Sequence, residues 1–331
     1  MKKSKVFSAL LACLLILPTY SSAQVYVAGT ITTGLGTTAS PESPRATLWK
    51  NGVPQTLSND QSSASSIYVS GNDVYAAGNV YVAFVEDGAE EDESNATLWK
   101  NGTPQTLSKK QSYASSVYVS GRDVYVTGSM EDKATLWKNG TPQTLSKKQS
   151  YASSVYVSGR DVYVTGSIGD KATLWKNSTP KTLSNDKSKT SSVYVSGRDV
   201  YVTGSIGDEA TLWQNSTLKA TLWKNGTPQT LSNDKSYASS VYVSGRDVYV
   251  TGSIGDKATL WKNGTPQTLS SDQSYAYSVY VLGSDVYVVG IVTDGFMREA
   301  TLWKNGAHQT LSDNPSRASS VYVSGHEVFV K

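Results

Sequence analysis

The sequence predicts an all-β protein, a seven-bladed β-propeller made of four-stranded antiparallel blades. The word Ala-Thr-Leu-Trp-Lys-Asn occurs seven times, with its tryptophan at Trp49, Trp99, Trp137, Trp175, Trp223, Trp261 and Trp303. Each repeat holds four short runs of β-forming residues separated by turn residues. Trp99 and Trp137 are 38 residues apart, which is close to the roughly 40–50 residues of known propeller repeats.

Residues 115–146 show the unit, and its four β-forming runs are 117–119, 124–126, 134–137 and 143–145. We name the four strand positions a, b, c and d. Asn139-Gly140, between c and d, predicts a type I′ hairpin, because both central residues of that turn need a positive φ. Pro142 cannot donate a hydrogen bond to a neighbouring strand, so d is predicted to be the outer edge strand.

The order of the runs predicts how the ring closes. The first repeat starts at b, with residues 25–31, and its missing a run is supplied by residues 319–323 near the C-terminus. Closure in this way leaves no long open sheet edge. A further b-like run, 327–330, competes with 25–31 for the same position, and the sequence leaves both alternatives open.

Residues 1–23 are predicted to be a signal peptide, and residues 24–331 the propeller. Lys2, Lys3 and Lys5 precede an apolar run that is too short to span a membrane, and Ser21-Ser22-Ala23 is a cleavage site of small residues. We therefore expect a periplasmic, secreted or cell-surface protein with no integral membrane segment after cleavage. Leu10-Leu11-Ala12-Cys13 is an alternative lipoprotein box that would anchor the chain at Cys13.

Charge and cysteine content exclude some classes of function. The chain has 30 basic and 27 acidic residues, and three of the lysines belong to the predicted signal peptide. The remaining chain is formally neutral, so its composition does not favour a nucleic-acid partner. Cys13 is the single cysteine, so the processed chain would have neither disulfides nor thiol chemistry.

The repeats depart from one another mainly in the links between strands b and c. Long b–c links occur at 32–45 in blade 1, 86–94 in blade 2 and 293–299 in blade 7. Blade 5 carries an extra copy at 210–219, which either lengthens the b–c link or takes the c position itself. The b–c and d–a links should share one face of the ring. Blades 7, 1 and 2 are neighbours there, so their links should form one patch where function is expected.

Aromatic and charged residues on that face are the candidate ligand-binding residues. Tyrosines occur just before strand a in four blades, at Tyr113, Tyr151, Tyr237 and Tyr275. A partial ring of phenols near the channel mouth would suit a carbohydrate or peptide, although each tyrosine could instead cover a blade junction with its hydroxyl in water. The blade 7 link adds Asp294, Phe296 and Arg298.

The acidic link of blade 2 is a candidate metal site. Its carboxylates are those of Glu86, Asp87, Glu90, Glu91, Asp92 and Glu93. Oxygen ligands of this kind suit Ca²⁺, the one cofactor for which the sequence offers an argument. The link lacks the spacing of a known Ca²⁺ loop, and a solvated, mobile loop explains the same charges.

Two repeated residue types are predicted to have structural roles. The tryptophans should pack between blades, since propeller sheets are covered on both faces. An aspartate opens strand b in six blades, and an aspartate in a tight turn commonly bonds its own backbone. These residues are Asp73, Asp123, Asp161, Asp199, Asp247 and Asp285.

The words SVYVSG, DVYVTG and ATLWKNG resemble the blades of a group of bacterial exported β-propellers with WKNG-type motifs. The resemblance covers residues 24–331 and implies this fold and export. It carries no catalytic residues. The chain lacks the GH…WD signature of WD40 repeats, the paired glycines of kelch repeats and the SxDxGxxW box of sialidase-like propellers.

These observations predict an exported, non-catalytic binding or scaffold propeller that recognises a glycan or a protein through the b–c and d–a face. The alternative is a carbohydrate-active enzyme, a glycosidase or lyase, that uses carboxylates of the blade 7–1–2 patch. His308 and His326 are the only histidines, and neither lies in a nucleophile or metal-ligand motif.

Overall fold

The computed structural model describes residues 23–33, 43–86, 89–109, 111–207, 218–295 and 297–325, with the backbone alone at 83–86 and 89–92. The predicted signal peptide as far as residue 22, including Cys13, lies outside the described residues. Phe296, Asp87 and the run 327–330 lie outside them as well.

Seven four-stranded antiparallel sheets form the ring, which confirms the predicted seven-bladed propeller. Blade 1 consists of β28 (Ser316–Ser324), β1 (Gln24–Thr33), β2 (Ser43–Lys50) and β3 (Val53–Thr56). Blade 2 consists of β4 (Ser62–Ser70), β5 (Asp73–Glu86), β6 (Ala89–Lys100) and β7 (Thr103–Ser108). Blade 3 consists of β8 (Ser112–Ser120), β9 (Asp123–Met130), β10 (Lys133–Lys138) and β11 (Thr141–Thr144).

The remaining blades repeat this order from the inner strand outwards. Blade 4 consists of β12 (Ser150–Ser158), β13 (Asp161–Ile168), β14 (Lys171–Lys176) and β15 (Thr179–Thr182). Blade 5 consists of β16 (Ser188–Ser196), β17 (Asp199–Ile206), β18 (Lys219–Lys224) and β19 (Thr227–Thr230). Blade 6 consists of β20 (Ser236–Ser244), β21 (Asp247–Ile254), β22 (Lys257–Lys262) and β23 (Thr265–Thr268). Blade 7 consists of β24 (Ser274–Leu282), β25 (Asp285–Asp294), β26 (Met297–Lys304) and β27 (Ala307–Thr310).

The ring closes through β1 and β28, which pair antiparallel in blade 1. Val25 lies opposite Val323, and Val27 lies opposite Val321. Residues 25–31 therefore occupy the b position for which the run 327–330 also competed. Because the C-terminal strand a completes the N-terminal blade, the first sheet has the same four strands as the other six.

The two irregular links of blades 2 and 5 are placed by strand pairing. In blade 2, β5 and β6 stay paired as far as Glu86 and Ala89. The prediction of a loop at 86–94 was therefore wrong, since most of this segment is the second strand of a long hairpin. In blade 5 the second copy of the repeated word forms β18, so the copy before it belongs to the b–c connection. Residues 208–217 lie outside the described residues.

The hydrophobic core lies between the blades. At the junction of blades 3 and 4, Leu136 of one blade and Trp175 of the next pack with Val155 and Val157. All seven repeat tryptophans are at most 1% exposed, which confirms their predicted core role. Each fully buried tryptophan removes about 150–250 Å² from water, so the junctions contribute much of the stability of the ring. Trp49 also donates from Nε1 to the Leu311 carbonyl, 3.1 Å away across the closing junction.

The first serine of each strand a links neighbouring blades. Ser150 Oγ accepts a hydrogen bond of 2.9 Å from the Ala134 amide of the preceding blade. It also donates to the Lys148 carbonyl at 2.8 Å. The equivalent serine accepts at 2.9 Å at every junction: Ser62, Ser112, Ser150, Ser188, Ser236, Ser274 and Ser316. These buried hydroxyls satisfy amides that the blade's own ladder leaves unpaired.

A β-bulge in strand a changes which side chains face the core. In β12 the pairing with β13 shifts between Ala152 and Ser154, so Ser153 is the bulged residue. Ala152 is buried before the bulge, and Val155 and Val157 are buried after it. In an unbroken strand, residues 152 and 155 would face opposite sides of the sheet. The bulge therefore lets both halves of the strand bury their apolar side chains.

The bulge requires a glycine at the facing position of strand b in each blade. A Cβ added at Gly166 would lie 1.8 Å from the carbonyl oxygen of Tyr151, which the bulge pushes towards β13. The same overlap with backbone occurs in every blade, at Gly29, Gly78, Gly128, Gly166, Gly204, Gly252 and Gly290. A backbone atom cannot move away as a flexible side chain can, so only glycine fits here.

On the face of the ring that carries the a–b and c–d turns, six blades have a polar cluster of an aspartate, a lysine, an asparagine and a tyrosine. The Lys262 ammonium lies 2.9 Å from Asp247 Oδ2 and 5.4 Å from the centre of the Tyr249 ring. Asn263 of the Asn-Gly turn donates to Asp247 Oδ1 at 2.8 Å. The predicted structural role of the aspartates is confirmed, but the predicted partner was wrong. They bind the lysine that ends strand c and the asparagine of the following turn rather than their own backbone.

Within the described residues, no helix is long and apolar enough to cross a lipid bilayer.

Replacing Gly166 by alanine should destabilise the ring strongly. The new methyl group would overlap the Tyr151 carbonyl, and overpacking of this kind costs about 1–3 kcal/mol or more. Gly159→Asn is the matched control, because Gly159 has φ +61 with nothing near its Cβ direction and asparagine tolerates that conformation. Urea unfolding of both variants checks the prediction. Equal losses of stability would show that the bulge does not depend on the glycine.

The aspartate–lysine cluster should contribute stability that depends on pH. Hydrogen bonds from Lys262 and Asn263 hold the pKa of the Asp247 carboxyl below its ordinary value. A carboxyl with a lowered folded-state pKa stabilises the protein above its unfolded pKa, and this contribution disappears as the pH falls through the folded value. Asp247→Asn should therefore lower Tm slightly at pH 7, and the difference from wild type should vanish in acid.

Thermal unfolding between pH 7 and pH 3 measures the effect of Asp247→Asn. Asp256→Asn in the same blade is the control, because its carboxylate lies 3.9 Å from Lys257 and belongs to no such cluster. A Tm difference for Asp247→Asn that persists unchanged at pH 3 would contradict the electrostatic origin.

Candidate functional site

A concave basin lies at one mouth of the central channel. Two cavities of about 790 Å³ and 530 Å³ form it, and they share Ser65, Ser191 and Tyr237. The larger cavity is also lined by Gly169 and Asp170 of a b–c turn. The basin therefore opens on the predicted face, where the b–c and d–a links emerge. We call it the mouth basin and define it by the bulged residues of the seven inner strands together with Tyr151, Tyr237 and Arg317.

The bulged residues line the mouth basin because a bulge turns its extra side chain away from the regular alternation. Ser153, for example, lies between the buried Ala152 and the core-facing part of β12, and it lines the larger cavity. The bulged residues are Ser65, Ser115, Ser153, Ser191, Ser239, Tyr277 and Ser319. Six small hydroxyl groups and one phenol thus surround the axis of the channel.

Seven tyrosines narrow the channel beneath these serines. The rings of Tyr118 and Tyr156 have their centres 4.8 Å apart, and the same contact continues around the whole circle. Its members are Tyr68, Tyr118, Tyr156, Tyr194, Tyr242, Tyr280 and Tyr322. Rings in such tilted contacts, placed at the corners of a heptagon, lie on a circle of about 6 Å radius. The inner strands therefore present a circle of aromatic rings to the channel.

Burial makes several tyrosines of this circle harder to ionise. Burial raises the pKa of Tyr68 to about 12, and burial also raises the pKa of Tyr118 and Tyr280. The circle of channel tyrosines was not predicted from the sequence. The available signal was the alternation of valine and tyrosine after each Ser-Ser pair, in which the valines face the core and the tyrosine between them faces the channel.

Two of the four tyrosines predicted from the sequence lie in the mouth basin. Tyr237 hydrogen-bonds with its hydroxyl to Ser191 Oγ of the preceding blade at 2.7 Å, and Tyr151 contacts Ser115 Oγ in the same way. Their hydroxyls therefore bridge blade junctions rather than ending in water. The Tyr151 ring remains 42% exposed, and burial of its hydroxyl end raises the pKa of the phenol.

The other two predicted tyrosines lie outside the mouth basin. Tyr275 lines a neighbouring cavity of about 270 Å³. The Tyr113 ring is 43% exposed and does not line any of these three cavities. The predicted ring of phenols is thus divided between the basin and its rim.

The predicted blade 7 residues lie on the β25–β26 hairpin. Asp294 and Arg298 are exposed there and do not line the mouth basin. Arg298 is nevertheless close enough for its charge to oppose the rise in the pKa of Tyr277 that burial causes. Phe296 lies outside the described residues, so its predicted role stays a prediction.

The predicted metal site on the blade 2 hairpin gains no support from the geometry. Of its six acids, only Glu93 belongs to the part of the chain with described side chains. Among the described residues, no group of three or more histidine, cysteine, aspartate or glutamate side chains could hold a metal ion. The hairpin register pairs the backbone of Glu90 with Val85 and that of Asp92 with Ala83, as in an ordinary two-stranded ribbon.

An aromatic–cation pair that was not predicted from the sequence lies at the junction of blades 7 and 1. The guanidinium carbon of Arg317 lies 4.0 Å from the centre of the Tyr277 ring. Tyr277 stands where the other six blades have serine, and this single departure was the signal that could have found the pair. Both residues line the smaller cavity of the mouth basin.

The mouth basin is lined mainly by hydroxyl groups and aromatic rings. Serine hydroxyls both donate and accept hydrogen bonds, and tyrosine rings offer flat apolar surfaces. Among the described residues that line the two cavities, Asp170 is the sole carboxylate. The arrangement thus offers many weak polar contacts and no pair of acids.

Comparisons with known proteins bear on the fold alone. No protein-family model and no curated protein sequence matches the chain. A solved structure of a prolyl endopeptidase aligns over 90% of this chain and 49% of its own, with 14% identity and a TM-score of 0.48. The chain therefore spans about half the length of that peptidase.

Two further solved structures are similar at the same level. A protein assigned as TolB from Agrobacterium tumefaciens aligns over 68% of this chain and 94% of its own, with 12% identity and a TM-score of 0.45. The acylaminoacyl peptidase of Pyrococcus horikoshii aligns over 76% of this chain and 53% of its own, with 14% identity and a TM-score of 0.40. At these identities and TM-scores, the similarity carries no argument about activity, ligand or partner.

Proposed function

We propose that the chain is an exported, non-catalytic propeller that binds a glycan in the mouth basin. The observation that carries this proposal is the ring of bulged residues, six serines and Tyr277, that lines the two adjoining cavities of the mouth basin. Hydroxyl groups at many angles match the hydroxyls of a sugar, and tyrosine rings match its apolar faces.

The size and shape of the basin favour a short oligosaccharide over a folded protein partner. Ligand pockets for small molecules measure about 300–1,000 Å³, and the larger cavity measures about 790 Å³. A stable protein–protein interface buries more than about 1,000 Å² with close complementarity. A short oligosaccharide can enter a concave basin on the channel axis, whereas a folded protein would contact only its rim.

The residues of the basin support binding rather than hydrolysis. Most glycosidases use two carboxyl groups on either side of the scissile bond. Asp170 is the single carboxylate among the described lining residues, and Asp294 stands apart on an exposed hairpin. The proposal of an exported protein rests on the charged, apolar and small-residue order of residues 1–23.

Binding to a glycan array, followed by calorimetric titration of the strongest oligosaccharide, tests the proposal. Ser65→Tyr should weaken binding at least about tenfold, because Ser65 lines both cavities and a ligand cannot occupy the volume of the new ring. Blade 7 already carries tyrosine at this bulge position, so the fold accepts the residue.

Ser70→Leu is the matched control for Ser65→Tyr. Ser70 ends the same strand near the opposite face, and blade 7 carries Leu282 at the equivalent position. This variant should bind as wild type does. The proposal is wrong if no oligosaccharide binds, or if both variants bind with unchanged affinity.

A further inference from the structure

The mouth basin departs from sevenfold symmetry at the junction of blades 7 and 1. At two other junctions, a tyrosine before strand a hydrogen-bonds to the bulged serine of the preceding blade, as Tyr237 does to Ser191. At the junction of blades 7 and 1, the same two positions hold Arg317 and Tyr277. A phenol-to-serine hydrogen bond is thus replaced by a guanidinium stacked on a phenol ring.

Stacking on Tyr277 holds the Arg317 guanidinium in a defined place and leaves the N–H groups at the edge of the guanidinium free to bind a ligand. Its guanidinium carbon lies 4.0 Å from the Tyr277 ring centre, the distance of a cation–π contact. The residue as a whole is exposed, and in the described part of the chain no carboxylate forms an ion pair with it. A guanidinium that stacks through its face keeps the N–H groups of its edge for a ligand.

The surroundings of Arg317 have the polarity that an anionic sugar requires. Among the described residues lining the smaller cavity, Arg317 is the sole charged residue, and its neighbours include Thr30, Ser63 and Ser319. The positive charge of Arg298 also acts on Tyr277, where it opposes the rise in pKa that burial causes. A carboxylate entering here would meet a cation able to form two parallel hydrogen bonds, with hydroxyl groups around it for the sugar.

We infer that the mouth basin binds an acidic glycan, and that Arg317 on Tyr277 receives the carboxylate of a uronic acid residue. This inference rests on the proposed glycan-binding function and specifies its ligand class. Arg317 is the group that contacts the ligand. Tyr277 is a positioning residue that keeps the guanidinium over the basin.

Calorimetric titration with uronic acid oligosaccharides and with the same oligosaccharides as methyl esters tests the inference. The two forms share their hydroxyl groups and differ in the charge of the carboxyl group. Wild-type protein should bind the acids at least about tenfold more tightly than the esters, as the loss of a charge-assisted, two-pronged contact implies. The preference should shrink as salt is added, because salt screens an exposed charge pair.

Arg317→Tyr is the decisive variant, since four other blades carry tyrosine at this position and the fold accepts it. The Arg317→Tyr variant should bind the acid and the ester with the same affinity. That affinity should equal the affinity of the wild-type protein for the ester. Tyr277→Ser restores the repeat's own residue and should lose part of the preference. Arg160→Gln removes an equivalent charge from an a–b turn near the opposite face and should change neither affinity.

The outcomes separate this inference from the proposed function. If neutral glycans bind and the acids bind no better, or if Arg317→Tyr keeps the full preference, the uronic acid assignment is wrong while glycan binding stands. If triglutamate peptide binds as tightly as the acidic oligosaccharides, the carboxylate contact is right and the glycan class is wrong. If no oligosaccharide of either form binds, the proposed glycan binding and the uronic acid assignment are both wrong.

Discussion

The close contact between the bulge of strand a and the glycine of strand b is the constraint on which the rest of the ring depends. The carbonyl displaced by the bulge occupies the space that a side chain would need at Gly166 and its equivalents. Because the glycine admits that carbonyl, the strand gains one residue and its alternation reverses. Ala152 and Val155 can then both reach the inter-blade core. The same extra residue places Ser153 at the channel mouth. Packing and the candidate site therefore come from one local irregularity.

Much of the architecture could be predicted from the sequence because the repeat expresses it several times over. The seven repeat tryptophans predicted the number of blades, and the Asn-Gly pairs predicted the hairpins. The absence of a strand a from the first repeat predicted that β28 closes the ring. These are local signals that neighbouring residues carry. The competition between residues 25–31 and 327–330 could not be decided in this way, since both runs have the same strand pattern and only pairing across the ring distinguishes them.

The candidate site could be predicted only in part, and the reason is physical. The sequence indicated the correct face and two of the basin's tyrosines. It gave no distance between residues on different blades, so the contact between Tyr277 and Arg317, 40 positions apart, stayed hidden. The aspartates show the same limit. Their structural role was visible in the turn pattern, but their lysine partners follow from a register that brings Lys262 beside Asp247.

Because the basin lies on the ring axis, duplication of the blades places equivalent residues around one basin. Equivalent residues on the outer edges of seven blades would form seven separate sites. Equivalent residues on the inner strands converge instead on one site, as the seven bulged residues do. Under the proposed function, a glycan on the axis would meet all of them at once, and blades identical at every position could not orient a ligand without sevenfold symmetry. Departures from the repeat remove that ambiguity. Tyr277 and Arg317 place a guanidinium stacked on a phenol ring at one side of the basin, while the remaining bulge positions stay serine. The near-identical repeats thus supply the shape of the basin, and departures such as Tyr277 and Arg317 supply its asymmetry.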